Sequence, residues 1–186
     1  NLLEAGKDMD YIWQKMSDLP YQCKPGKCYG YQNSVFSLVE PIVAQATQRD
    51  YATLVGERIF KPLDMATASV GFDAFVNNPN HAEPHARRNG QWKTIAVQPN
   101  YYRATPAAGV NASILDMGKW LQAQLGGNPE IISLGMLQNL TEPRVKTQRE
   151  TYRKEWSDII TDAHYGLGWR IYQLGNQPLV YHGGWV

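Results

Sequence analysis

Apolar side chains recur at helical spacing in the first part of the chain. Residues 3–16 place them three or four positions apart, and Pro20 follows soon after, which predicts a first helix. Residues 33–46 carry a second, broader apolar face with Pro41 inside it. Because proline has no N–H to donate, we expect this helix to kink near Ser37, whose carbonyl then loses its usual partner.

The residues at helix ends mark further helices. Asp50 has a side chain suited to cap a third helix, which Pro62 ends. Ser113 and Asp116 have the spacing of a capping box, in which each side chain bonds to the backbone N–H of the other. A helix should therefore follow Ser113 and end at a pair of glycines, with a shorter helix after it at 135–140.

Strand patterns lie near the end of the chain. Residues 165–172 alternate like a strand, and residues 179–182 are the expected hairpin partner after a turn at 175–176. The segment 77–100 is rich in Pro, His and Asn, which predicts mostly loop with a hairpin-like run at 91–97. The sheet is thus expected to begin only after a long helical and looped region.

Composition bounds the class of protein. The chain has 186 residues, 43% hydrophobic and 19% charged, which suits one globular domain or a large part of one. Its formal charge of +1 gives no electrostatic excess toward nucleic acid or an anionic membrane surface. No apolar run approaches the roughly 18 residues of a membrane span. We therefore expect no nucleic-acid partner and no membrane-spanning segment.

Two features concern the surface and the ends of the chain. The stretch 144–155 is rich in charged residues, so we expect it on a solvated surface. The sequence starts at Asn1 without a Met and finishes on His-Gly-Gly-Trp-Val, which is typical of the middle of a strand. These ends favour a fragment of a longer protein.

The positions of the cysteines and of two histidines indicate whether a disulfide or a metal site can form. Cys23 and Cys28 flank a Pro-Gly turn that can bring two thiols within bridging distance; they would pair in an oxidising compartment, and two free structural thiols are the alternative. His81 and His85 are four residues apart, but Pro84 breaks the helix that a metal-binding pair at this spacing needs. We expect no metal site, and since no Gly-rich phosphate loop occurs, no cofactor.

Two short motifs carry candidate chemistry. Tyr31-Gln32-Asn33 lies between the Pro-Gly turn and a predicted helix, where a phenol and an amide can both project into a cleft. His182-Gly183-Gly184 closes a strand, and glycines there let a ligand approach the backbone. The structural alternatives are a core tyrosine with a capping asparagine, and a glycine bulge beside a buried histidine.

Five short blocks occur in order along nearly the whole chain. They are Pro25-Gly26-Lys27-x-Tyr29-x-Tyr31-Gln32-Asn33, Ile59-Phe60-Lys61-Pro62-Leu63-Asp64-Met65-x-Thr67, Pro106-Ala107-Ala108-Gly109 ahead of Ser113-x-x-Asp116-Met117, Tyr165-Gly166-Leu167-Gly168-Trp169, and His182-Gly183-Gly184. Together they resemble the class C β-lactamase family, which also holds D-Ala-D-Ala carboxypeptidases and serine esterases.

The resemblance implies catalysis by the serine of a Ser-x-x-Lys motif, which is acylated and then released by water. Tyr31 matches the tyrosine that activates the nucleophile and then the water, and Asn33 matches the asparagine that binds the lysine and the substrate's amide carbonyl. His182-Gly183-Gly184 matches the substrate-binding Lys-Thr-Gly strand motif. The N–H of Trp185 is then one of two oxyanion-hole donors.

Two departures from the family pattern bear on activity. None of the seven serines has a lysine three residues later, so the nucleophile motif is absent and, by family order, precedes Asn1. His182 and Gly183 replace the lysine and threonine of the strand motif. A cation that would hold a β-lactam carboxylate is replaced by imidazole, a group that is mostly neutral at pH 7. These changes favour D-amino-acid peptides, amides or esters over β-lactams.

For the fold, the resemblance implies an α+β class: the helix-rich central region of the serine β-lactamase/DD-peptidase fold, with a C-terminal β-hairpin from its antiparallel sheet. It makes the chain a single partial domain, mainly helical over 1–160 with strands over 161–186. It also implies a periplasmic or cell-envelope location, and hence a disulfide between Cys23 and Cys28. The competing hypothesis is a non-catalytic relative that binds peptidoglycan-like peptides or a partner protein.

Overall fold

The computed structural model describes residues 2–153 and 156–184, along which eight α-helices precede a four-stranded antiparallel sheet. The chain divides into unit 1, Asn1–Leu19 with Gln32–Leu121, and unit 2, Pro20–Tyr31 with Gln122–Val186. The helices are α1 (Met9–Ser17), α2 (Asn33–Phe36), α3 (Val39–Thr47), α4 (Tyr51–Val55), α5 (Phe72–Val76), α6 (Thr105–Ala108), α7 (Ile114–Gln124) and α8 (Leu134–Leu140). The strands are β1 (Ser69–Val70), β2 (His85–Arg88), β3 (Gln91–Thr94), β4 (Val110–Asn111), β5 (Val145–Lys146), β6 (Ile160–Tyr165), β7 (Arg170–Leu174) and β8 (Gln177–Tyr181).

The helix predicted over residues 33–46 is broken in two, as Pro41 suggested. α2 ends at Phe36 and α3 begins at Val39, so Pro41 lies in the first turn of α3, where a missing N–H leaves no helical bond unmade. The expectation that the Ser37 carbonyl loses its partner is wrong. That oxygen accepts the N–H of Glu40 at 3.1 Å, because the break closes as a tighter turn.

Asp50 caps α4 as predicted. Its carboxylate accepts the backbone N–H of Thr53 at 2.8 Å. The predicted helix then changes form before Pro62, because Gly56–Phe60 winds as a π-helix and the N–H of Lys61 reaches back to the Gly56 carbonyl. Such a turn depends on how a helix packs and has no local sequence signature.

The capping box before α7 forms as predicted. The backbone N–H of Ser113 donates to Asp116 at 3.0 Å, and the N–H of Asp116 donates to the Ser113 hydroxyl at 3.2 Å. Asp116 also accepts the backbone N–H and the hydroxyl of Thr67, on the segment before β1. This carboxylate therefore ties the start of α7 to a segment that is distant in sequence.

The second half of unit 1 holds small β elements and part of a buried cluster. β1 pairs with β4, and β2 pairs with β3 through a two-residue turn at Asn89 and Gly90, which have φ of 51° and 79°. The predicted hairpin-like run at 91–97 is thus misplaced, because the hairpin spans 85–94. Leu3, Ile12 and Ala104 form the buried cluster, against which Met9, Met16, Tyr101 and Ala107 pack.

Unit 2 is built on one sheet with strand order β5-β6-β7-β8. All three strand pairs are antiparallel, and β7 and β8 form the predicted hairpin, with a turn at Gly175, where φ is 56°. Ile160, Ala163 and Tyr172 are buried on this sheet, with Leu174 and Tyr181 packed against them. The C-terminal hairpin of an antiparallel sheet is therefore confirmed.

The single strand predicted over residues 165–172 is wrong. β6 ends at Tyr165 and β7 begins at Arg170, and the N–H of Gly166 donates to the Trp169 carbonyl at 2.8 Å across the turn. A side chain at Gly166 would start only 2.5 Å from the carbonyl oxygen of Leu140. The alternation of glycines therefore reflects a turn with close backbone packing and not a strand.

Helices together with an antiparallel sheet confirm the α+β class. The assignment of one partial domain, with its change of character after residue 160, stays a prediction. Within the described ranges 2–153 and 156–184, no helix has both the length and the apolar character to cross a membrane.

Candidate active site

The first site motif follows a covalently closed loop. Cys23 and Cys28 are joined by a disulfide, with their Cα atoms 6.2 Å apart. Within the loop, the N–H of Lys27 donates to the Lys24 carbonyl at 3.0 Å, and Gly26 has the positive φ of 77° that this turn requires. The disulfide anchors the backbone at Cys28, one residue before Tyr29. It therefore also restricts the conformations available to the backbone that leads into Tyr31.

The structure brings Tyr31 and His182 together. Their rings are stacked with centroids 5.6 Å apart, although the two residues are 151 positions apart in the sequence. Tyr31 is 53% exposed, so its hydroxyl is not enclosed in a core. The alternative of a core tyrosine is therefore wrong, and Tyr31 and His182, which are both exposed, meet within unit 2.

Two further tyrosines support this pair. The Tyr29 ring stacks on the Tyr165 ring with centroids 4.0 Å apart, and the Tyr165 ring contacts His182 edge-on at 6.4 Å. We call these four residues, Tyr29, Tyr31, Tyr165 and His182, the aromatic cluster. Burial raises the pKa of Tyr29 and of Tyr165 above the ordinary value of 10.0, so both phenols stay protonated near neutral pH.

His182 has a defined ring orientation. Its Nδ1 lies 2.7 Å from the carbonyl oxygen of Gly183, which favours the tautomer that carries the proton on Nδ1. In that tautomer Nε2 has a free lone pair and can accept a hydrogen bond from a substrate N–H. Gly183 and Gly184 are exposed, and among the described residues no atom lies within 4 Å of where their Cβ atoms would be, so packing against that part of the chain does not require glycine there. Trp185, the expected oxyanion-hole residue, lies outside the described residues.

A polar group that the sequence did not indicate lies beside the aromatic cluster. Arg170 is directly opposite Tyr165 on one side and Tyr181 on the other. Its guanidinium pairs with Glu150 at 3.1 Å, and Glu150 also accepts the Tyr172 hydroxyl at 2.9 Å. The Glu150 side chain is only 14% exposed, so placing the whole stretch 144–155 on a solvated surface is wrong at this residue.

Asn33 follows Tyr31 by two residues in the sequence. It is the first residue of α2, directly after Gln32, whose side-chain oxygen accepts the N–H of Ser34 at 3.3 Å. The Asn33 carbonyl accepts both the N–H and the hydroxyl of Ser37, which fixes the backbone of this turn. Asn33 belongs to unit 1, whereas the aromatic cluster belongs to unit 2.

The residues missed by the sequence reasoning are Tyr29, Tyr165, Glu150 and Arg170. Tyr29 and Tyr165 stand in the blocks that carry the family resemblance, and that position was the available signal. Glu150 had no such signal, because its role depends on Arg170 in a strand 20 residues later. In the part of the chain that the structure describes, no group of three or more His, Cys, Asp or Glu residues is arranged to hold a metal ion.

Proteins with similar sequences include D-aminopeptidases. The D-aminopeptidase of Brucella ovis is 28% identical over 160 residues, which is 86% of this chain and 28% of that protein. The D-aminopeptidase of Brucella canis has the same identity and coverage. The chain thus spans less than a third of the length of the curated relatives that it matches.

Solved structures share the fold at low identity. The octameric penicillin-binding protein homologue from Pyrococcus abyssi superposes with a TM-score of 0.77 and 20% identity, over 93% of this chain and 37% of that chain. The D-amino acid amidase from Ochrobactrum anthropi SV3 superposes with a TM-score of 0.65 and 20% identity, over 95% of this chain and 48% of that chain.

The family itself is shown by a match over the whole sequence. The family model described as Beta-lactamase matches residues 1–186. This agrees with the five ordered blocks and with the shared fold of the penicillin-binding protein homologue. The chain belongs to the Beta-lactamase family.

Proposed function

We propose that this chain forms part of the active site of a serine hydrolase that cleaves amide or ester bonds of D-amino-acid compounds. The stacking of Tyr31 on His182 supports this best, because it joins the two motifs that bind substrate and move protons in the family. In this proposal a serine of a Ser-x-x-Lys motif is the nucleophile. No such motif occurs in the 186 residues, so turnover requires a segment that carries it.

Each site residue has a distinct part in this proposal. Tyr31, as a phenolate or through a proton shared with the lysine of the Ser-x-x-Lys motif, accepts the proton of the serine and passes it to the leaving amine or alcohol. It later accepts a proton from the attacking water and returns it to the serine. Asn33 binds the amide carbonyl of the substrate. The exposed backbone at Gly183 and Gly184 lies along the substrate, and the N–H of Trp185 stabilises the oxyanion.

The proposed substrate class rests on His182. A histidine whose Nδ1 proton points to the Gly183 carbonyl presents Nε2 as an acceptor, which suits an N–H donor on the substrate better than a carboxylate. The sequence relatives named D-aminopeptidase support D-amino-acid peptides or amides as substrates. β-Lactams, which carry a carboxylate, are disfavoured.

The test uses a form of the protein that also carries a Ser-x-x-Lys segment. Tyr31→Phe should lower kcat for a D-alanyl anilide by about 100-fold to 10,000-fold, the range for loss of a general base. Tyr21→Phe is the matched control, because Tyr21 is 89% exposed and its loss should leave kcat unchanged. The 186-residue chain alone should show no turnover. Equal rates for the two variants would contradict the role of Tyr31.

A non-catalytic binding protein is the second candidate. A Ser-x-x-Lys motif in the full-length protein would favour the hydrolase, and its loss would favour the binding protein. Protein isolated from its native source should be treated with a fluorophosphonate probe and a fluorescent penicillin. Covalent labelling supports the hydrolase. Folded protein that stays unlabelled while a control serine hydrolase is labelled supports the binding protein.

We also propose that the protein acts in the periplasm or cell envelope. The Cys23–Cys28 disulfide supports an oxidising compartment, since such bonds are rare where thiols are kept reduced. Thiol alkylation of cells before lysis provides the test. Protection of both cysteines supports the proposal, and alkylation of both contradicts it.

A further inference from the structure

The β2–β3 hairpin concentrates positive charge. Residues 85–94 include Arg87, Arg88 and Lys93 and contain no Asp or Glu, whereas the formal charge of the whole chain is only +1. The balance of charge over the chain therefore conceals one strongly basic element.

The cations of the hairpin are exposed and available. Arg87, Arg88 and Lys93 are all exposed, and none of them takes part in an ion pair among the residues that the structure describes. Cations such as Arg49 and Arg170, by contrast, are paired with carboxylates within their own unit. The hairpin cations are thus free to meet anions from outside the protein.

The register places these cations on both faces of the hairpin. Arg87 is directly opposite Trp92, and Lys93 is directly opposite Ala86, so Arg87 and Lys93 point to different faces. Arg88 shares the face of Lys93 and lies next to the turn at Asn89 and Gly90. A ligand that touched a single face would leave some of these charges unused.

An aromatic side chain accompanies the charges. Trp92 is 70% exposed, which is unusual for so large an apolar side chain, and it lies near the turn, opposite Arg87. Exposed Trp beside Arg and Lys is typical of protein segments that bind at the boundary between lipid headgroups and water. The aromatic ring contacts the interfacial region, and the cations contact anionic headgroups.

We propose that the β2–β3 hairpin is a peripheral docking element for an anionic lipid surface. A hairpin entering the headgroup layer by its turn brings both faces into contact with anions, which accounts for cations on both faces. A soluble acidic polymer lying along one face would leave the cations of the other face uncontacted. The element is independent of the proposed catalytic residues, none of which lies within 85–94.

The test measures partition of the full chain onto vesicles. Binding to vesicles of equal parts phosphatidylcholine and phosphatidylglycerol is compared with binding to phosphatidylcholine alone, by sedimentation at low and high salt. The variant Arg87→Gln/Arg88→Gln/Lys93→Gln should bind the anionic vesicles about 100-fold more weakly, because each cation near such a surface contributes about fivefold. Trp92→Ala should weaken binding severalfold even at high salt, where the charges are screened.

The matched control removes three exposed cations elsewhere. Lys24→Gln/Arg58→Gln/Lys61→Gln changes the net charge by the same amount and should retain most of the binding. Circular dichroism verifies that each variant is folded, and the hairpin side chains are exposed enough that folding should not change. Equal losses in both triple variants, or no preference of the unmodified chain for anionic vesicles, would overturn the proposal. So would hairpin-dependent binding to polyphosphate or an acidic polysaccharide in the absence of vesicle binding.

Discussion

The buried carboxylate of Asp116 stabilises the fold through several hydrogen bonds. It is 2% exposed and accepts backbone and hydroxyl hydrogen bonds from both Thr67 and Ser113. Burial alone would raise the pKa of Asp116, but these hydrogen bonds outweigh burial and lower the pKa from 3.8 to about 2. The ionised form is therefore the one that the fold stabilises.

Replacement of Asp116 should change both stability and its pH dependence. Because the folded-state pKa lies below the unfolded value, the stabilisation is present above about pH 4 and is lost as the pH falls toward about 2. Asp116→Asn should lower the free energy of unfolding at pH 7 by about 2 kcal/mol and flatten its dependence on pH in that acid range. Urea unfolding across that range measures this. Asp158→Asn, at an exposed position, is the control and should leave the curve unchanged.

The sequence predicts a residue of the site only where that residue belongs to a recognisable motif. Tyr31 and His182 each stood in a short motif, and the structure stacks them. Nothing in the sequence showed that Tyr165 would touch His182 or that Glu150 would pair with Arg170, because those contacts depend on strand register and on a segment folded across the sheet. Side-chain neighbours of this kind follow from tertiary packing.

At the scale of elements, local chemistry predicted the starts of helices well. Asp50 caps α4 and Ser113 caps α7, since these bonds join residues only three positions apart. The pattern at 166–169 is typical of a strand, yet the segment is a turn, because Gly166 packs against the Leu140 carbonyl, 26 residues earlier in the chain. A local sequence pattern cannot predict elements whose conformation depends on contacts with distant parts of the backbone.

The disulfide loop allows a prediction at the same scale. Cys23→Ser/Cys28→Ser should lower the free energy of unfolding by about 2 kcal/mol, a modest loss because the closed loop is short. Urea unfolding with and without a reductant measures the effect. Reductant should bring the unmodified protein to the stability of the double variant and leave the double variant unchanged. An unmodified protein insensitive to reductant, with its thiols shown to be free, would contradict the stabilising role.

At the scale of the whole molecule, the order of the five motif blocks along the chain indicates the family better than any single block does. Each of the five blocks is short, yet their sequence from Pro25 to Gly184 identified the family that matches all 186 residues. Net charge is less informative. The 18 basic and 17 acidic residues sum to a formal charge of only +1, while the hairpin at 85–94 is basic. An average over the molecule cannot report a local concentration of charge.

A molecule with a net charge of only +1 exerts little long-range attraction on an anion. Discrimination between charged and neutral substrates must therefore come from residues of the site. Arg170 is already paired with Glu150, so His182 is the residue at which a carboxylate preference can be introduced. In a form of the protein that also carries a Ser-x-x-Lys segment, His182→Lys should raise kcat/KM for a carboxylate-bearing D-peptide about tenfold more than for a neutral ester, through a charge-assisted hydrogen bond. His85→Lys adds the same charge at an exposed position outside the site and should affect both substrates alike. If His182→Lys also affects both alike, residue 182 does not distinguish substrates by their carboxylate.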